Sequence, residues 1–154
     1  MKARQILASL SVLFLGAALC VAADMNMGTW KLNEAKSKIP PGVTKNTTVV
    51  YAPMGDGVKI TVDGVGADGK PTHSEWAGKY DGKDYPVTGD QTSDARSYTR
   101  IDDRTLDFAV KKGGKTLLTG RVVVAADGKS RTVTATGTDA SGKKVTATQS
   151  YDKQ

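Results

Sequence analysis

The sequence contains one histidine, and its neighbours decide what chemistry it could support. His73 lies in Thr72-His73-Ser74-Glu75-Trp76, two residues from Glu75. Residues two apart on an extended strand share a face, so His73 and Glu75 could pass a proton between them, with Ser74 as a local nucleophile. A serine hydrolase also needs its serine on a sharp turn beside backbone donors, and no serine here has that context. The same alternation puts Trp76 on the opposite face, which directs His73 and Glu75 to solvent. A zinc site draws several Cys and His ligands at close spacing, whereas this chain has one of each. Its Asp-Gly pairs lack the spaced carboxylates of a calcium loop. The expectation is a protein that is not an enzyme and holds no metal or cofactor.

A second set of residues could bind a charge. Arg96, Tyr98 and Arg100 alternate in Asp94-Ala95-Arg96-Ser97-Tyr98-Thr99-Arg100-Ile101. Turned inward, two guanidiniums and a phenol would make an anion pocket. Buried charge without partners is costly, so these three are expected outside, with Ser97, Thr99 and Ile101 inside. Arg121, between Gly120 and Val122, is an isolated cation of the same kind.

These residues must be positioned by one domain. Lys2 and Arg4 precede an apolar run from Ile6 to Val21, and Val21-Ala22-Ala23 supplies small residues suited to a signal peptidase. That pattern predicts a signal peptide over 1–23 and a domain over 24–154, periplasmic or secreted, with no membrane span after cleavage. Cys20 would fall within the leader, and Leu19 before it is larger than a lipid-anchor site prefers. The remaining 131 residues contain no cysteine, and they are enough to bury a core without disulfides. The net charge is +6, of which Lys2 and Arg4 carry two. The remaining lysines are scattered beside turn glycines rather than clustered with aromatics, which argues against nucleic acid.

From Gly42 onward one rhythm holds. Asp56-Gly57, Asp68-Gly69, Asp81-Gly82, Gly113-Gly114, Asp127-Gly128 and Ser141-Gly142 punctuate stretches rich in Thr, Val and Tyr. Ile101–Arg104 and Val87–Asp90 are weaker turn signals. This spacing predicts an all-β, antiparallel up-and-down barrel of roughly 8–10 strands. A β-sandwich is the alternative, but it would more often need a long crossover. Alternation puts Val58, Ile60 and Val62 on one face, and Leu106, Phe108 and Val110 on another. It also groups Trp76 and Tyr80 with Ser74 and Gly78, while the last strands offer Val133, Ala135, Gly137, Val145, Ala147, Gln149 and Tyr151. Small residues beside bulky ones either leave a ligand cavity or accommodate large neighbours in a tapering core.

The folded part opens Gly28-Thr29-Trp30-Lys31-Leu32. A glycine, one residue and a tryptophan on a first strand resemble the lipocalin-like barrels of the calycin superfamily, and GTWKL is similar to the opening of fatty-acid-binding proteins. The resemblance implies that Gly28 and Trp30 close one end of the barrel. A buried indole is efficient filler whose N–H can cap a carbonyl. The end, Gln149-Ser150-Tyr151-Asp152-Lys153-Gln154, resembles the last strand of the same family. There an Arg and a Tyr two residues apart hold a carboxylate. Gln149 stands where that arginine would be, which would suit a neutral group on the ligand, or Gln149 simply bonds a backbone group or water. The family's helical lid is replaced by Asn33–Asn46, where Pro40-Pro41-Gly42 excludes a helix pair. The chain also resembles secreted bacterial proteins that share GTWKLN-x-AKSK and a YDKQ end, a likeness that brings no activity with it.

The expected function is exported binding of a small apolar molecule in a barrel cavity, with Gln149, Tyr151, Trp76 and Tyr80 as ligand contacts. The alternative is an interaction or structural protein of the cell envelope with no ligand cavity.

Overall fold

A computed structural model describes residues 24–139 and 141–154. The expected signal peptide and Cys20 lie outside the described residues. Ten strands follow one another: β1 (Gly28–Leu32), β2 (Lys45–Met54), β3 (Gly57–Val65), β4 (Pro71–Gly78), β5 (Tyr85–Thr88), β6 (Ala95–Arg100), β7 (Thr105–Lys112), β8 (Lys115–Val124), β9 (Ser130–Thr138) and β10 (Lys144–Lys153). Each pairs antiparallel with its neighbours, and β1 pairs with both β2 and β10, so the ring closes. This is the predicted up-and-down barrel, with no second sheet for a sandwich among the described residues. A single 3-10 turn, Glu34–Lys36, interrupts the strands, and the Pro40-Pro41 segment beyond it is not helical.

The turn chemistry explains the meander. Between β7 and β8 the loop is only Gly113 and Gly114, with φ of +56° and +77°. Positive φ at both central positions is the hairpin turn whose twist suits the flanking strands. Between β2 and β3 the loop is Gly55-Asp56, with Gly55 at φ +59°. The turn therefore sits one residue earlier than the Asp56-Gly57 pair implied, and Gly57 opens β3. The long gap between Gly82 and Gly113 holds the short strand β5, tied to β6 by the pairs Tyr85↔Arg96 and Pro86↔Ala95.

Alternation places the core inside. Val58, Ile60 and Val62 are buried on β3, while Lys59, Thr61 and Asp63 face the other way. The largest fully buried side chains are Trp30, Trp76, Tyr151, Ile60, Leu106 and Val124. They form one cluster with Val49, Tyr51, Tyr98 and Val122.

A candidate ligand site inside the barrel

The two ends of the barrel are built differently. The end where β1 begins is sealed. Gly28 has φ +110°, a conformation that favours glycine, and Lys153 Cε approaches to 3.0 Å of the place a Cβ would occupy. Trp30 is 0% exposed, and its Nε1–H donates to the Asn26 carbonyl at 2.8 Å. Asp24 caps the same segment, accepting from the Asn26 backbone N–H and from Arg100 at 2.9 Å. Gly28 and Trp30 thus hold the first strand against the segment that covers this end.

At the other end the inward positions are smaller. Phe108, Leu118, Val133, Ala135 and Val145 alternate with outward neighbours yet are only half-buried. Phe108 lies across Gly120, where an added Cβ would come within 2.4 Å of its ring. The missing side chain at Gly120 gives the ring its place.

Arg131 is the residue that sequence reading missed. It pairs with Tyr151 in the β9–β10 register and is 3% exposed. Its guanidinium carbon lies 4.7 Å from the Trp30 ring centre, 4.8 Å from Tyr51 and 4.9 Å from Tyr151. Three faces of negative ring quadrupole thus hold one cation. Among the described residues no carboxylate forms an ion pair with it, and its Nε and Nη1 have no hydrogen-bond partner. Ser130-Arg131-Thr132 carries no motif, but its alternation with Val133 and Ala135 was the available signal.

Arg96 and Tyr98 correct an expectation. They face inward, and Ser97, Thr99 and Ile101 do not. Tyr98 is buried with its ring 4.8 Å from Trp76, while Ile101 is 51% exposed. The cost of burying Arg96 is met in part by Asp90, 4.0 Å away, yet its buried Nε is unpartnered. Arg100 turns to the rim, over the Tyr80 ring and against Asp24. Arg121 does lie outside, paired with Asp107 at 2.6 Å.

The predicted ligand contacts have separate surroundings. Gln149 is buried and bonded at both ends of its amide. Its Oε1 accepts from the Asn46 backbone N–H at 2.9 Å and from the Tyr151 hydroxyl at 3.2 Å, and its Nε2 donates to the Thr44 carbonyl at 3.2 Å. It ties β10 to the start of β2. Trp76 donates from Nε1 to the Arg96 carbonyl at 2.8 Å and stacks edge-on with Tyr85 and Tyr98. Tyr80 lies beside Tyr98, and its buried hydroxyl has no partner. Burial pushes the pKa values of Tyr51, Tyr80 and Tyr151 up, so all three phenols stay neutral. His73 is exposed, with Nδ1 2.7 Å from Asp63 and Nε2 3.9 Å from Glu75. Among the described residues no three His, Cys, Asp or Glu gather as a metal site.

No family model and no curated protein sequence matches the chain. Solved structures do. The chain is similar to EF1p2_mFAP2b bound to DFHBI, with a TM-score of 0.51 and 14% identity over 86% of this chain and 97% of that one. It is also similar to a redesigned β-barrel, mFAP1, bound to DFHBI, with a TM-score of 0.44, 17% identity, and coverage of 86% and 98%. At such identity the first likeness shows a shared barrel fold.

The outside of the barrel has its own concavities. A groove of about 630 Å³ crosses the outer faces of β6 to β9, over Ser97, Ala109, Thr119 and Thr134, with the Arg121–Asp107 pair on its wall. A hollow of about 370 Å³ lies at the rim beside Ile39, Pro40, Val43 and Val65. Open volume is thus recorded outside the barrel, and the unpartnered buried donors lie inside. The donors are the better guide to a ligand, because a threonine-lined groove has hydroxyls that water already satisfies.

Proposed function

We propose that this chain is an exported binding protein that takes a small, largely apolar molecule through the mouth of its barrel. The observation that carries this reading is the difference between the ends: Trp30 is fully buried at one, and the other leaves Val133, Ala135 and Val145 half-buried on the inner face. A barrel closed at one end and apolar at the other suits a ligand that enters by one route. The solved barrel of similar fold is bound to DFHBI, which supports the reading by analogy of fold. Trp76 and Tyr80 would form the floor of the site. Gln149 and Tyr151 hold its wall together and offer the ligand only what their mutual bonds leave free.

The test is uptake of the neutral probe N-phenyl-1-naphthylamine, together with native mass spectrometry of protein purified from its source. Fluorescence enhancement that saturates at one probe per chain, or a bound small mass, is expected. A ligand-free mass and no enhancement would overturn the proposal. The outer groove favours a second reading, an interaction protein of the cell envelope that presents a Thr- and Ser-rich face. Recovery of one stoichiometric partner by crosslinking, lost on substituting Thr119 and Thr134 by lysine, would favour it.

A further inference from the structure

We infer that removal of the leader and closure of the barrel's base exclude each other: the bond between Ala23 and Asp24 is open to a leader peptidase only until the cork forms. This rests on the export proposed above and adds an order of events to it. The step is a hydrolysis, in which water adds across the Ala23–Asp24 amide and leaves a carboxylate on Ala23 and an amino group on Asp24.

Three observations on the domain side of that bond carry it. First, the fold begins immediately after it. The Asp24 carbonyl accepts from the Met27 N–H at 3.1 Å, and its Oδ1 accepts from the Asn26 backbone N–H at 3.0 Å and from Asn26 Nδ2 at 3.2 Å. These bonds set residues 24–27 in a tight turn. A peptidase reads exposed, extended backbone around the bond it cuts, and this turn is neither. Second, the turn is held by groups far along the chain. Arg100 Nη2 donates to Asp24 Oδ2 at 2.9 Å across 76 positions, and Lys153 Nζ donates to the Met25 carbonyl at 3.4 Å across 128. Trp30 pairs with Lys153 in the β1–β10 register, and the Gln154 N–H donates to the Thr29 carbonyl at 3.0 Å. A chain that enters its compartment from the N-terminus meets these partners last. The bond stays accessible while β10 is still to arrive, and closing the ring hides it. Third, the turn is part of the cork rather than a tail resting on it. Asn26 is fully buried, the Asp24 side chain is mostly buried, and Met25 and Met27 pack against the core cluster. A precursor that folded before it was cut would keep its leader, and with it the apolar run from Ile6 to Val21 as an attachment to the membrane.

The experiment offers the full chain, leader included, to a membrane-bound leader peptidase in detergent and follows the mass of the product. A full-length chain carrying Ile60→Asp and Leu106→Asp places two charges at fully buried positions, cannot close its core, and serves as the open reference. The reference should lose residues 1–23. The folded chain should be cut at least about tenfold more slowly, in proportion to its open population. Arg100→Met should raise the folded chain's rate about two- to fivefold. Trp30→Phe removes the indole bond to Asn26 and should raise it about tenfold. Either substitution added to the open reference should leave its rate unchanged, which separates protection by the cork from recognition by the peptidase. Equal rates for the folded chain and the reference, or protection untouched by both substitutions, overturn the ordering and leave export standing. A reference that keeps its leader overturns the export reading and this one together.

Discussion

At the corked end of this barrel the inward side chains are Trp30, Tyr51, Leu106, Val124, Arg131 and Tyr151, each at most a few per cent exposed. Toward the other end they are mixed: Leu118, Val133, Ala135 and Val145 are half-buried, while Val110 and Ala147 are buried. On β8, β9 and β10 one strand supplies residues to both sets, so there the difference lies in side-chain volume along the strand. Position along β9 shows this directly, as inward residues shrink from Arg131 through Val133 and Ala135 to Gly137. One end has enough ring area to exclude water and hold a cation. The other carries smaller inward side chains.

Trp30→Ala should break the comparison most severely. It removes a fully buried indole and the Nε1–H bond to Asn26, and it takes one ring from around Arg131. A loss of about 3–5 kcal/mol in urea unfolding is expected. Trp30→Phe keeps much of the packing and should cost less. If Trp30→Ala cost under about 1 kcal/mol, the cork would not be what holds this end.

The same end should respond to alkali. Tyr51, Tyr80 and Tyr151 have pKa values raised by burial in the folded state. Below about pH 10 both folded and unfolded chains keep these protons, so stability does not depend on them. Above it the unfolded chain ionises while the folded one does not, and stability falls by up to about 1.4 kcal/mol per pH unit for each tyrosine. Urea midpoints that stay flat between pH 9 and 11 would show the phenols to be freely ionisable. Ultraviolet titration of tyrosinate should show the same separation, with Tyr85 also raised, by its bond to Asp81.

Much of this fold was legible because it depends on local rules. Turn glycines and alternating Val and Thr fix strands and faces within a few residues, and a GTW opening needs only its own neighbours to place Trp30. The inward arginines were not legible for the opposite reason. Whether Arg96 points in or out depends on neighbours from other strands, since Trp76 Nε1–H bonds its carbonyl and packs on the next inward residue, Tyr98. The penalty for burying charge pointed outward, and it lost to the alternation that Tyr98 imposes by packing on Trp76. Gln149 shows the same limit: a sequence gives its face, but its partners Thr44 and Asn46 lie over a hundred positions away.

Gln149→Leu sharpens the contrast at the mouth. The substitution keeps the volume and leaves the Asn46 N–H and Thr44 carbonyl without their side-chain partner. A loss of about 1–3 kcal/mol is expected. Hydrogen exchange should rise first over residues 39–46, the segment Gln149 holds. Faster exchange spread evenly round the ring would mean that this tie supports the whole barrel.

The smallest expected change in stability carries the sharpest test of the mouth. Val145 is the outermost inward residue of β10, half-buried and opposite Gly137. In a filled core Val145→Phe would force neighbours off their rotamers at about 1–3 kcal/mol. In an open mouth the larger ring has space on the glycine side, and the change should stay under about 1 kcal/mol. The added ring would also narrow the opening and weaken uptake of N-phenyl-1-naphthylamine. Stability retained with uptake lost would locate the ligand path between β9 and β10. A strongly destabilised variant would instead show the mouth to be packed, and the half-exposure of Phe108 and Val133 to be surface relief with no route inward.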